Sequence, residues 1–269
     1  MYFVHITKGS YLLDNLFTLF KPEERQNTFW DYITTLASTR SQLKEGLNGS
    51  DIVCCRGLLK RVAHAPYNLN ASWKFSVRRV GDVIFLCESE RYLNHTLPLE
   101  KQREIYRGFS FAEYVTVTGK DVTSTTDKSA TNFEEFVGVM QSTLALGPKS
   151  KKPLKLFYNG EVDALYKETN VPVELKVTNL TNYNRNKDKI NLEWFLHSYL
   201  MGITDLYVCY DVDEVVKKVD CLFVEDLCKA SEVYVCMNVL HKVLSEVCRE
   251  YPAIPCVLKQ FGLSRKCTF

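Results

Sequence analysis

No run of apolar residues in this 269-residue chain is long enough to cross a bilayer as a helix, so no helical membrane span is expected. The opening stretch, MYFVHITKGSYLLDNLF, lacks a basic segment followed by an unbroken apolar run, because Asp14 and the polar residues from Thr7 to Ser10 interrupt it. That is not the pattern of a secretory leader, and an intracellular setting is expected. There is no C-x-x-C pair, and the histidines at 5, 64, 95, 197 and 241 show no ligand-like spacing, so zinc is not expected. A Gly-rich phosphate loop, G-x-S-x-G and G-x-G-x-x-G are all missing, which removes the sequence signals for P-loop, serine-hydrolase and dinucleotide-binding chemistry. Neither sign of charge dominates, with 34 Lys and Arg against 32 Asp and Glu. Any basic surface must therefore be local. Repeats and heptads are also lacking, and the linkers are too short to argue for a second domain; a single domain over 1–269 is expected.

What remains is the composition of an ordinary soluble globular protein, 46% hydrophobic and 25% charged. Its ten cysteines read as reduced core residues. Residues 22–45 place Phe29, Ile33 and Leu36 at helical spacing behind Pro22. IVCCRGLLKRV reads as a strand running into a turn, and WKFSVRRVGDVIFLCESE as a hairpin closed at Gly81-Asp82. Residues 116–132 read as a mobile polar loop, NFEEFVGVMQSTLAL as a helix, and KSKKPLK (149–155) as a solvated linker. TNLTNYNRNKDK is expected as a loop, followed by a helix over INLEWFLHSYLMG that Gly202 stops. A strand, DLYVCYDV, and a last helix, VYVCMNVLHKVLSEVCREY, complete the pass.

One stretch carries candidate chemistry: GEVDALYKETNVPVELKV, residues 160–177. On a strand, residues two apart share a face, so Glu161 pairs with Asp163 and Glu174 with Lys176. If the two strands lie side by side, three carboxylates and one lysine converge. Two readings are open. Alternating charges form a wet sheet face with cross-strand ion pairs. Alternatively, packed carboxylates repel unless a cation sits among them, and Mg²⁺ or Mn²⁺ suits oxygen donors. An acidic residue, a gap and E-x-K is the metal-binding pattern of PD-(D/E)xK nucleases, which hydrolyse phosphodiesters.

Taken in order, DIVCCRGLLKRV, PYNLNASWKFSVRRVGDVIFLCESE, YRGFSFAEYV, GEVDAL, PVELKV, EWFLHSYLMGI and YVCMNVL resemble the DXO decapping exoribonuclease family over roughly residues 25–250. The resemblance implies an α+β fold, a mixed β-sheet core flanked by helices, with a PD-(D/E)xK-nuclease-like metal cleft. It implies removal of NAD caps, incomplete caps or 5′ triphosphates from RNA, dependence on one or two Mg²⁺ or Mn²⁺ ions, and residence in the nucleus. RNA 5′ ends and a 5′→3′ exoribonuclease are the implied partners. By position, Arg56 would meet RNA or cap phosphate; Glu161, Asp163, Glu174 and the Leu175 main-chain carbonyl would bind metal. Glu161 would also touch substrate, and Lys176 would meet the phosphate.

Two positions depart from the family pattern. Where G-[YF]-[KS]-F-E supplies another metal-binding Glu, this chain has Ala112, followed by Glu113. A helix turns about 100° per residue and a strand alternates faces, so Glu113 replaces the missing group only by a shift of register. Where the family has a Gln that contacts the 5′ nucleotide, this chain has His197, whose ring nitrogens can still make hydrogen bonds. Its structural alternative is a satisfied histidine on a buried helix face. Two classes of function follow: an active metal-dependent nuclease, or a weakened paralogue that binds 5′ ends or a partner nuclease without cleaving.

Overall fold

The computed structural model describes residues 2–3, 33, 43, 45–70, 73–88, 98–117, 136–145, 153–252 and 266–267. Among them two mixed six-stranded sheets carry the flanking helices, the expected α+β architecture. The chain divides into two compact units. The first comprises Met1–Arg25, Tyr92–Val137 and Glu161–Cys228; the second comprises Gln26–Arg91, Gly138–Gly160 and Lys229–Phe269.

One sheet has the order β12-β3-β4-β2-β7-β6; the second unit holds its strands β2 (Ile52–Cys55), β3 (Phe75–Val80), β4 (Val83–Glu88) and β12 (Lys266–Cys267) and all of β6 (Phe136–Leu144) and β7 (Leu154–Val162) except residues 136–137 and 161–162. The β3–β4 hairpin turns where the sequence places it, at Gly81, whose φ of +58° is a left-handed value that glycine adopts without strain. The expected turn after IVCC is instead a helix, α1 (Arg56–His64), whose Leu58, Leu59 and Val62 are buried. Helix α4 (Ala230–Glu250) packs against α1. Ile33 and Leu43 are helical and join the core with Leu47, Val53, Val83, Phe85 and Phe157. The rest of the expected 22–45 helix up to Lys44, the loop from 118 to 132 and the basic residues 149–152 lie outside the described residues.

The helix expected over NFEEFVGVMQSTLAL is corrected to strand β6 within its described part. Its exposure alternates with period two, residues 139, 141 and 143 facing solvent, as one open face of a strand requires. Gln141 fastens it by donating to the Asn48 carbonyl (3.0 Å) and to Ser50 Oγ (3.3 Å).

The first unit holds β1 (Tyr2–Phe3), β5 (Thr116–Val117), β8 (Ala164–Tyr166), β9 (Pro172–Asn179), β10 (Asp205–Val212) and β11 (Val215–Phe223), ordered β11-β10-β9-β8-β1-β5. Helix α2 (Leu99–Val115) packs on β9, and α3 (Leu180–Tyr199) packs on β9 and β10. Phe111 and Val115 of α2 close a cluster with Ala164, Val173, Leu175, Cys209 and Val216. On α3, Tyr183 stacks on Trp194 and meets Tyr210 of β10 edge-on.

The expected loop TNLTNYNRNKDK is corrected: from Leu180 onward it forms the first half of α3. Asn179 caps it, its side-chain oxygen accepting from the N–H groups of Thr181 (3.0 Å) and Asn182 (3.2 Å). Polar residues tolerate this exposed half-helix, and it kinks at Asn186 before the apolar half begins. Gly202, at φ +66°, follows the helix end where the sequence puts a stop. Strand β11, which carries no assignment in the sequence reading, returns against β10 through Asp213 and Glu214, both left-handed.

Candidate active site

The site grows from the β8–β9 hairpin, whose register pairs Ala164 with Val173 and Leu165 with Pro172. Along β9, Val173, Leu175 and Val177 turn to the α2-side cluster. Strand alternation sends Glu174 and Lys176 to the other face, the one α3 covers. Their neighbours on β10 are Leu206 and Val208, both fully buried. Glu174 is consequently only 1% exposed.

A carboxylate buried this far loses several kcal/mol of hydration unless a cation and hydrogen bonds replace the water. Lys176 supplies the cation: its ammonium donates to Glu174 Oε1 and lies 4.0 Å from Asp163 Oδ2. Asp163 is itself aimed at β9, because its Oδ2 accepts the Leu175 N–H at 2.8 Å. From α3, His197 brings Nε2 to 3.6 Å from the same Glu174 oxygen. The fold therefore assembles Asp163, Glu174, Lys176 and His197, two carboxylates, a cation and an imidazole.

The other expected residues are placed as follows. Leu175 contributes its N–H to Asp163, while its side chain is part of the apolar cluster. Glu161 is half-buried near the end of β7. Period two across Glu161 and Asp163 does not run through one strand, since β7 stops at Val162 and β8 begins at Ala164 in the other sheet. Among the described residues, no three or more His, Cys, Asp or Glu side chains are grouped so as to hold a metal ion as they stand. Arg56, the first residue of α1 in the second unit, is only 7% exposed, so it is no surface cation.

Ala112 lies on α2 against the Phe111–Val115 cluster, and its carbonyl accepts from Thr116 Oγ1 at 2.6 Å. Glu113 follows it on the same helix, about 100° further round.

Does this donor set suit a divalent ion? Asp163 and Glu174 offer hard oxygen donors, and the buried carboxylate already has positive charge seated on it. As the side chains stand Lys176 neutralises Glu174, so the oxygen donors suit Mg²⁺ or Mn²⁺ once an ion displaces that ammonium.

A second polar group in this unit has no signature in the sequence. The hydroxyls of Tyr166 and Tyr207 lie 3.1 Å apart. Burial, joined by each other's hydroxyl and by Asp205, pushes the Tyr166 phenol well above its usual range, and burial raises Tyr207 as well. Such phenols stay protonated at neutral pH and bind the β8 end to β10 rather than serving as bases. Nothing in the spacing of two tyrosines 41 residues apart marks them.

Residues 2–261 match the sequence profile of a family described as RAI1 like PD-(D/E)XK nuclease. Decapping nuclease dom-3 of Caenorhabditis elegans is 30% identical over 206 residues, 71% of this chain and 51% of that protein. Decapping and exoribonuclease protein Rai1 of Drosophila melanogaster is 28% identical over 182 residues, 59% of this chain and 46% of that protein. The chain thus spans about half the length of the curated relatives it matches. In fold it is similar to Scheffersomyces stipitis Rai1 in complex with (3′-NADP)⁺ and calcium ion, with a TM-score of 0.73 and 19% identity over 94% of this chain and 76% of that one. It is also similar to Candida albicans Rai1 in complex with pU5-Mn²⁺, with a TM-score of 0.66 and 16% identity over 91% and 74%.

Proposed function

The chain belongs to the RAI1-like PD-(D/E)XK nuclease family, and from that premise we propose that it is a divalent-metal-dependent hydrolase of RNA 5′ ends. It removes NAD caps, incomplete caps or 5′ triphosphates and leaves 5′-monophosphate RNA. The observation that carries this reading is the buried Glu174 carboxylate held with Asp163 around one lysine ammonium. The pU5-Mn²⁺ and (3′-NADP)⁺–calcium complexes of the fungal relatives support a 5′ nucleotide as substrate and a divalent ion as cofactor.

In this reading Glu161, Asp163, Glu174 and the Leu175 carbonyl hold one or two Mg²⁺ or Mn²⁺ ions. The bound ion supplies Lewis-acid charge at the phosphate and eases deprotonation of the attacking water. Asp163 needs no reorganisation, since the Leu175 N–H fixes its carboxylate. Lys176 carries its ammonium on a flexible stem and is 19% exposed, so it can leave Glu174 for a phosphate oxygen as negative charge builds there. Arg56 takes the substrate's phosphate. RNA 5′ ends and a 5′→3′ exoribonuclease are the proposed partners, and the nucleus the proposed compartment.

The test is hydrolysis of NAD-capped and 5′-triphosphorylated RNA by purified protein with Mn²⁺. Cleavage that Glu174→Ala abolishes is the expected result. Ala112, packed against an apolar cluster where the family pattern has a carboxylate, favours a second reading, a weakened paralogue that binds 5′ ends. That reading prevails if both RNAs are bound and remain intact.

A further inference from the structure

The carboxyl end of β2 sets two thiols side by side. Strands β2 and β4 run parallel, with Ile52 opposite Ile84 and Val53 opposite Phe85. Carrying that register on by two residues brings Cys55 opposite Cys87, on one face of the sheet because strand side chains alternate. The two sulfurs sense each other: burial raises the Cys87 thiol most, Cys55 raises it further, and Arg78 opposes both. Neighbouring strands lie about 4.8 Å apart, within the roughly 4.4–6.8 Å that separates the Cα atoms of a disulfide. Cys55 ends β2 and Cys87 stands one residue from the end of β4, where the backbone can close the remaining gap between the sulfurs.

The surroundings suit oxidation. Both residues are half-buried thiols, whereas Cys54, Cys209 and Cys236 are buried. A thiol sealed in apolar surroundings is inert, while a partly exposed one near a cation reacts with oxidants. Arg78 of β3 supplies that cation. Ser76, opposite Cys87 on β3, is exposed, so solvent reaches the pair from that side. On the other side Asn159 of β7 lies opposite Cys55, and its buried Oδ1 accepts no hydrogen bond among the described residues. An unused acceptor there suits an S–OH group formed on Cys55.

We infer that Cys55 and Cys87 are an oxidisable dithiol that hydrogen peroxide converts to a disulfide. One thiolate attacks a peroxide oxygen; the S–O bond forms, the O–O bond breaks, and the departing hydroxide takes up the thiol's proton as water. The second sulfur then attacks the sulfenic acid, the S–S bond forms, and hydroxide leaves with the second thiol's proton as another water. Two thiols thus give up two electrons and the peroxide takes them. Cys55 is also the residue from which α1 starts, and Arg56 is the first residue of that helix. A bond from Cys55 to β4 pulls on this start, and with it on the guanidinium proposed above to take the substrate's phosphate. That consequence, unlike the disulfide itself, rests on the proposed function.

Peptide mass mapping of the full chain after treatment with hydrogen peroxide tests the site without reference to activity. The expected product is a Cys55–Cys87 cross-link, two hydrogens lighter than the reduced peptides and reversed by dithiothreitol. In Cys87→Ser the cross-link is lost and dimedone labels Cys55 as the sulfenic acid. In Cys221→Ser, at an exposed residue of the other unit, the cross-link is kept. Wild-type protein needs no substitution and decides the matter alone. Cys55 and Cys87 oxidised separately to sulfenic or sulfinic acids, or both left as thiols while Cys221 reacts, overturns the inference. Affinity for 5′-triphosphorylated RNA is expected to fall about tenfold in oxidised wild-type protein and to recover on reduction. A cross-linked protein that binds this RNA as tightly as the reduced one overturns the effect on Arg56 and leaves the disulfide standing. Reduced protein that binds no such RNA overturns the 5′-end reading instead.

Discussion

Substituting Lys176 by Met isolates the electrostatic cost on which the site is built. Methionine keeps the length and apolar stem of the lysine but removes the charge, leaving Glu174 at 1% exposure with its ammonium gone. Breaking one side of a buried pair costs about 3–5 kcal/mol. Here the lysine side is 19% exposed and Asp163 is 28% exposed, so water offsets part of the loss. About 2–4 kcal/mol is expected. For a chain of this size that lowers the thermal midpoint by roughly 5–15 °C. The loss should be specific to the pair, so Lys176→Met combined with Glu174→Gln must be less destabilised than the sum of the single changes. It should also be repaired by the proposed cofactor. Mn²⁺ at a hundred times its dissociation constant contributes about 2.7 kcal/mol. Wild-type protein gains less, because the ion must first displace the ammonium. Urea titration of the four proteins, with and without Mn²⁺, measures all of this. A Lys176→Met protein as stable as wild type, or one that Mn²⁺ leaves unchanged, would mean that the ammonium carries no such cost at Glu174.

Asn179→Ala removes the acceptor for two N–H groups at the start of α3 and is expected to cost about 1 kcal/mol, read from the urea midpoint. Arg107→Ala breaks an ion pair with Glu214 at 2.7 Å, but the partners are 19% and 39% exposed, so less than about 1 kcal/mol is expected. Burial, with the Asp211 carboxylate adding to it, pushes the Cys209 thiol from 9.0 up to about 12. Because the folded form holds this proton more tightly than the unfolded one, stability is intact below pH 9 and falls as pH rises from 9 toward about 12. Urea midpoints at pH 8, 9.5 and 10.5 follow the decline, and Cys209→Ser, whose hydroxyl does not ionise in that range, should make it shallower.

Where residues alternate under two buried faces, the sequence was easy to read. VPVELKV could only place Glu174 and Lys176 together, and β9 does so with α3 above it. FSVRRVGDVIFLCE carries both its alternation and its turn residue. The failures have physical causes. Strand β6 has one open face, and its apolar residues fall at spacings a helix also accepts. The first half of α3 is polar except at Leu180 and Tyr183, and it is held by the Asn179 cap and by the buried Tyr183 ring on Trp194, neither of which shows as helical periodicity. The break at Asp163 was hidden because a strand that changes sheets looks continuous in period two. The approach of His197 to Glu174 depends on how α3 lies over β9, which no local pattern encodes.

The interleaving of the two units has a consequence for how the molecule is made. Its backbone passes from one unit to the other at 25/26, 91/92, 137/138, 160/161 and 228/229. No single cut can release either unit as a continuous fragment, and a nascent chain cannot complete the first before most of the second has been synthesised. Contacts between residues far apart in sequence must therefore close late, which makes folding slow. A substitution in β7, such as one that weakens the Leu156 or Phe157 packing in the second unit, would then delay the strand from which the chain enters Asp163, and with it the maturation of the site.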